Sequence, residues 1–230
     1  MTQDGSTSLP SNTAPIAGPA VAVDVLLFAI REETLQTLLI KISVPPYDGK
    51  WALPGGLVRL TETLDQAVER VLKEKAGIKD VYLEQLYSFG DLDRDSRSRS
   101  ISVAYFALID SDKFELKTSE LYSDIGWHSI GKLPELAFDH KKIIEYGVER
   151  LRAKLEYTNI AYGLLPKEFT LSRLQQIYEI ILGKTLDKRN FRKRIKQLDI
   201  LEPTDKFSTG TAKRPAGLYR FKKRDLVFTK

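Results

Sequence analysis

Residues 51–78 read WALPGGLVRLTETLDQAVERVLKEKAGI, and the fold follows from how this stretch is parsed. Trp51 to Leu53 is a short strand that runs through Pro54 into the Gly55-Gly56 turn. Thr63 opens a helix, and Gln66 three residues on completes a capping-box pattern. Leu64, Ala67, Val68, Val71 and Leu72 then fall on one helical face, and Gly77 ends the helix as a C-terminal glycine does. Strand-like segments at Ala20–Ile30 and Thr37–Ile42 precede this unit as a hairpin interrupted by Arg31-Glu32-Glu33. After it come Val81–Phe89 and Ile101–Ile109, flanking the charged loop Asp91–Arg99, and a helical pattern over Ile143–Leu155 that leads away from this body. Strands mixed with helices in this order predict an α/β or α+β first domain.

The last section has a different grammar. Thr170 starts a helix (Leu171, Leu174, Ile177, Tyr178, Ile181) that stops at Gly183, and Asp187 caps a second with apolar positions Phe191, Ile195 and Leu198. Strand-like Ile200-Leu201 and Leu218–Phe221 bracket a polar loop carrying Lys206, Lys213 and Arg214. Helix, turn, basic helix and two-stranded wing is the order of a winged helix-turn-helix.

The charge divides at the same place. The 230 residues hold 36 Lys and Arg against 31 Asp and Glu, a net of +5. Residues 1–165 hold 19 basic against 24 acidic residues, a net of −5; residues 166–230 hold 17 against 7, a net of +10. Such asymmetry suggests an anionic partner for the basic part. Lys188, Arg189, Asn190, Arg192, Lys193, Arg194 and Lys196 crowd around the apolar stripe of the second helix. A helix anchored on one stripe and cationic elsewhere can enter a DNA major groove. Arg189 and Arg192 suit base reading, because Arg pairs bidentately with guanine; Lys193, Lys196, Lys213 and Arg214 suit phosphate contact. A solvated basic face or a membrane-surface helix is the alternative. No aromatic platform for single strands stands near the cluster.

Other classes are excluded more simply. No apolar run approaches the roughly 18 residues of a membrane span. The chain has no cysteine, so disulfides and Cys-ligated metal sites are ruled out, which fits a reducing cytoplasmic setting. Residues 1–18, rich in Ser, Thr, Pro, Gly and Asn, read as a flexible lead-in and not a signal peptide.

The frame Gly56, Glu62, Arg70 and Gly77-Ile78, with the Trp51–Gly56 run ahead of it, resembles the Nudix box of hydrolases that cleave nucleoside diphosphates linked to another group. The family pattern has Glu directly after the arginine and a Glu-Glu pair three residues further on, where carboxylates gather a divalent cation. Here those positions hold Val71 and Glu74-Lys75. Valine cannot bind a cation and lysine repels one, so no metal site, catalytic residue or cofactor is expected, and Glu74 is expected to pair with Arg70 at i,i+4.

The whole chain after residue 19 resembles the Nudix-related transcriptional regulators, carried by Gly90–Asp95, Ser102–Tyr105, Leu136–His140, Phe169–Leu171, Asn190–Arg194 and Lys213–Tyr219. The resemblance implies an α+β fold, an α/β/α Nudix sandwich with a C-terminal winged helix-turn-helix domain, divided as 1–18, 19–157 and 158–230. It implies a homodimeric repressor on a palindromic double-stranded DNA operator, released by a small-molecule effector. One branch responds to ADP-ribose and controls NAD biosynthesis, another to arabinose; an active pyrophosphohydrolase is the remaining alternative. The expected effector contacts are Arg94, Asp95, Arg97 and Arg99 with Glu62, Arg70 and Glu74, and Asp93 is a further candidate for ribose hydroxyls. An exposed loop of mixed charge is the other reading of residues 93–99. His140 is expected to be structural.

Overall fold

The computed structural model describes residues 18–78, 81–110, 122–209 and 215–228. A mixed seven-stranded sheet forms its centre, with strands β1 (Ala20–Arg31), β2 (Thr34–Lys41), β3 (Trp51–Ala52), β4 (Gly55–Leu57), β5 (Tyr82–Phe89), β6 (Ser100–Leu108) and β7 (Asp124–Ser129). The main order is β3-β2-β1-β6-β5, with β4 beside β1 and β7 beside β2. β1 and β6 run parallel, in register from Ala20 opposite Ser100 to Phe28 opposite Leu108. The expected hairpin forms, with Phe28 opposite Thr37 and Arg31 opposite Thr34.

β1 reads as one continuous apolar run because both its faces are covered. Val23, Val25, Leu27 and Ala29 pack with the buried side of helix α1 (Leu64–Ala76). Leu26, Phe28 and Ile30 pack on the opposite face with helix α2 (His140–Tyr157). α1 forms as its sequence dictates: Thr63 Oγ1 accepts from Gln66 N at 3.2 Å, and Gln66 Oε1 accepts from Thr63 N at 2.9 Å. Gly77 closes it at φ 66°, which glycine adopts without strain.

α2 corrects one expectation. It does not lead away from the body but lies along the sheet, with Ile143, Ile144, Val148, Leu151 and Leu155 buried. Gly147 makes the close approach possible, since a Cβ there would collide with Leu26 Cδ2. A short 3-10 helix, Ile160–Leu164, follows, and it too is pressed on the sheet: a Cβ on Gly163 would sit 2.7 Å from Leu108 Cβ.

The winged helix appears in the expected order: α3 (Leu171–Leu182), α4 (Lys188–Leu198), β8 (Leu201–Phe207) and β9 (Gly217–Phe221). Phe169 and Tyr219 exchange backbone hydrogen bonds of 2.9 and 2.8 Å, adding a third short edge to the wing. Its core is continuous with that of the first domain, since Leu174, Ile177, Phe191 and Phe221 join the same buried cluster as Phe28 and Leu151. Residues 1–17, where most of the expected lead-in falls, lie outside the described residues.

Candidate functional site

α4 is capped by Asp187, whose side chain accepts from Asn190 N at 2.8 Å, and is held down by Phe191 and Ile195, 5% and 4% exposed. Lys188, Arg189, Asn190, Arg192, Lys193 and Lys196 are all exposed. Lys188, Arg189, Arg192, Lys193 and Lys196 make no ion pair or side-chain hydrogen bond with any described residue. Arg194 is exposed as well, but it has a contact within the chain. It lies one turn from Phe191, beside the packed face, and its Nη2 donates to the Glu156 carbonyl of α2 at 2.9 Å. It therefore fastens α4 to α2 while remaining exposed like the others. Lys213 and Arg214 lie outside the described residues.

In the first domain, a cavity of about 220 Å³ opens between the start of β1, β4, the last turn of α1 and the loop after β5. Asp24, Gly55, Lys75, Arg94, Asp95 and Arg97 are among its walls, so three expected effector contacts are brought together there. Their states differ. Arg94, 6% exposed, donates to Asp139 at 2.9 and 3.2 Å, to Ser100 Oγ at 3.1 Å and to Asp24 at 3.3 Å. Its guanidinium is engaged by these partners in the floor of the cavity. Arg97 is half exposed, paired with Asp95 at 2.9 Å, and its guanidinium lies 5.6 Å from the Tyr47 ring and 5.2 Å from the Phe138 ring.

The floor is a buried polar network. His140 Nδ1 accepts from Leu53 N at 2.9 Å, which leaves Nε2 carrying the proton toward Asp24 Oδ1, 3.4 Å away. Ser102 Oγ donates to Asp24 at 2.5 Å. Burial alone pushes the Asp24 carboxyl up, but His140, then Ser102 and Arg94, outweigh it and hold the group at about 2. His140 is structural, as expected. Asp24 and Asp139 were missed as site residues, and the signal for Asp24 was a lone acid in an apolar strand.

Four expected contacts stand elsewhere. Arg99 donates to the carbonyls of Asp91 at 3.0 Å and Ser100 at 3.3 Å, away from the cavity. Glu62 and Arg70 close on each other at 2.6 and 2.8 Å, and Arg70 also donates to the Leu57 carbonyl at 3.0 Å. Those Arg70 hydrogen bonds bring the Glu62 carboxyl down to about 2. Glu74 lies 3.6 Å from Arg70, the expected pair, and 3.7 Å from Arg59. None of these three lines the cavity: the box's surviving charges brace the loop from Leu57 to Glu62 instead.

Lys75 is the residue that sequence reasoning undervalued. Its aliphatic stem carries the ammonium inward from the last turn of α1, where Nζ donates to the Gly55 carbonyl and sits 4.7 Å from the centre of the Tyr122 ring. Burial pushes its pKa down to about 8. Val71, at the other altered position, is fully buried against the sheet.

A mixed sheet with a glycine–helix loop on one face, joined to a winged helix whose exposed cations have few partners among the described residues, defines a Nudix domain fused to a DNA-binding domain. The family models agree, matching a NUDIX domain over residues 18–147 and an NrtR DNA-binding winged helix domain over residues 161–221. The chain belongs to the NrtR family of Nudix-related transcriptional regulators. It is 42% identical over 214 residues to the ADPR responsive transcriptional repressor NtrR of Acinetobacter baylyi, covering 91% of this chain and 85% of that protein. Its fold matches Shewanella oneidensis NrtR complexed with a 27mer DNA (TM-score 0.78, 37% identity, 88% of this chain and 93% of that one). The NUDIX domain of the same Shewanella protein complexed with ADP ribose matches with a TM-score of 0.53 at 36% identity, over 58% of this chain and 89% of that one. No helix among the described residues is long and apolar enough to cross a membrane.

Proposed function

We propose that the chain is a transcriptional repressor, a homodimer that holds a palindromic operator through its two winged helices and releases it when the Nudix domain takes up ADP-ribose. The observation that carries this reading is the outer face of α4, with its five cations lacking any partner among the described residues. Unpaired Arg and Lys on a helix end suit phosphates and guanine edges. The named relatives support both the DNA and the effector. The cavity chemistry supports ADP-ribose over a neutral pentose such as arabinose. A pentose would leave Lys75 without a counter-charge, whereas a diphosphate supplies one, and the Phe138 ring on the cavity wall offers a face for a base.

The divalent ion of Nudix hydrolases does not fit the residues present. Hard cations want several oxygen ligands, yet Val71 is buried apolar, Lys75 is a cation and Glu74 is turned to two arginines. Among the described residues no three acidic or histidine side chains gather as a metal cluster would. We therefore read the domain as a sensor and assign it no hydrolytic step.

Coupling runs through α2. Its N-cap Asp139 and first residue His140 lie under the cavity, and its last turn offers the Glu156 carbonyl to Arg194 of α4. Its 18 residues span about 27 Å at 1.5 Å per residue. The effector switches the protein only if it binds the two arrangements with different affinity. The test is a mobility-shift assay at moderate salt with DNA from upstream of the chain's own gene. A specific shift reversed by ADP-ribose and not by arabinose is expected. Absence of any specific shift would sink the repressor reading.

A further inference from the structure

We propose that the Lys75 ammonium is a built-in replacement for the metal ion, meeting the diphosphate of the effector directly so that binding needs no divalent cation. This rests on the ADP-ribose reading above and deepens it. A metal in a Nudix box joins carboxylates on the helix to an anionic substrate. In this chain the helix position has changed sign, and the new cation is not turned out to solvent. It reaches back across the glycine turn, docks on the Gly55 carbonyl and lies over the Tyr122 ring.

The surroundings are built to keep it there. β4 fixes the Gly55 carbonyl by pairing Gly55 with Asp24 of β1, and any Cβ on Gly55 would strike Asp24, so the backbone approach depends on glycine. The anchor uses one of the three ammonium donors, and no other hydrogen bond to a described residue engages the remaining two. Every other strong cation on the cavity wall is already neutralised: Arg94 by Asp24 and Asp139, Arg97 by Asp95. Lys75 has no carboxylate within ion-pairing distance among the described residues. An incoming diphosphate is the counter-charge this arrangement lacks.

The experiment is isothermal titration of the full chain with ADP-ribose, once in EDTA and once in magnesium chloride, with adenosine as a probe lacking the diphosphate. Equal affinity in the two buffers is expected. Lys75→Met is expected to weaken ADP-ribose by about thirtyfold, the size of a lost charge-assisted hydrogen bond, and to leave adenosine unchanged. Lys75→Arg should recover most of the loss. A merely structural lysine would move both ligands together, and that result overturns the proposal. So does ADP-ribose binding that appears only with magnesium, a result the wild-type protein gives even if Lys75→Met fails to fold. If wild type binds ADP-ribose in neither buffer, the effector reading itself is wrong; if it binds in both and Lys75→Met binds equally well, only this proposal is.

Discussion

Helix α1 has 13 residues and α4 has 11, and both begin on a side-chain cap, Thr63 or Asp187, and end on a left-handed residue, Gly77 or Asp199. Each buries one apolar stripe: Val68, Val71 and Leu72 in the first, Phe191 and Ile195 in the second. What differs is the fate of the charges. On α1, Arg70 and Glu74 pair with each other, Arg70 also pairs with Glu62, and Lys75 is drawn inside. On α4, five of six cations have no partner among the described residues, and Arg194 is tied to the Glu156 carbonyl of α2. Helical periodicity reports that a face is buried; only the partners show whether its charges stabilise the protein or await something else.

The strongest attempt to break this contrast puts a charge where α1 is closed. Val71→Glu restores one family carboxylate, but its site is fully buried in the apolar cluster between α1 and the sheet. We expect a loss of about 3 kcal/mol or more in denaturant unfolding, with no gain of hydrolysis. A stable variant that turned over ADP-ribose with magnesium would show that α1 is an open metal helix after all.

Next is the face that α4 leaves free. Arg192→Ala should weaken operator binding by about 1–3 kcal/mol and relax specificity, while Lys193→Ala should weaken all DNA sequences alike and flatten the salt dependence. Neither should change the thermal unfolding midpoint, because neither side chain touches a described partner. Arg194→Ala should do the reverse, lowering stability through the lost Glu156 contact. If all three behaved alike in gel shifts and in melting, the division between untethered and tethered cations would be false.

The caps sharpen the comparison at a smaller scale. Thr63→Ala and Asp187→Ala should each cost about 1 kcal/mol of stability. Only the second should also reduce DNA affinity, since it is α4 that carries the exposed cationic face. Paired melting and mobility-shift measurements on the two variants separate the effects.

The local rules that make these helices alike are also what made them readable. Caps, apolar spacing and terminal glycines act over four residues, so α1, α3, α4, the β1–β2 hairpin and the wing were legible. The site was legible only in part. Arg94, Asp95 and Arg97 were found as a charged loop, but the acids that claim Arg94 stand at 24 and 139, and only the folded sheet brings them to it. β7 escaped because Asp124–Ser129 carries Gly126 and His128 between mostly half-buried neighbours, with no apolar run. The inward turn of Lys75 had no signal at all, because a lysine in the last turn of a helix ordinarily favours the dipole from solvent.

The smallest expected effect concerns the seam between the two regions. The hairpin turn at Glu32-Glu33, with φ 47° and 57°, points its second acid at α3, where Glu33 pairs with Arg173 at 3.2 Å and accepts from Gln176. Both partners are substantially exposed, so Glu33→Ala should cost no more than about 0.5 kcal/mol of stability, and less at high salt. Its value lies in direction. The turn joins β1, which carries Asp24 at its other end beside the cavity, to the helix that supports α4. If the effector works by shifting the sensor against the reader, loosening this clamp should change the ADP-ribose concentration that releases DNA more than it changes either binding affinity alone. Gel-shift titration of DNA at fixed protein, repeated across ADP-ribose concentrations for wild type and Glu33→Ala, reads that coupling. An unchanged release curve would confine the coupling to α2 and its contact with Arg194.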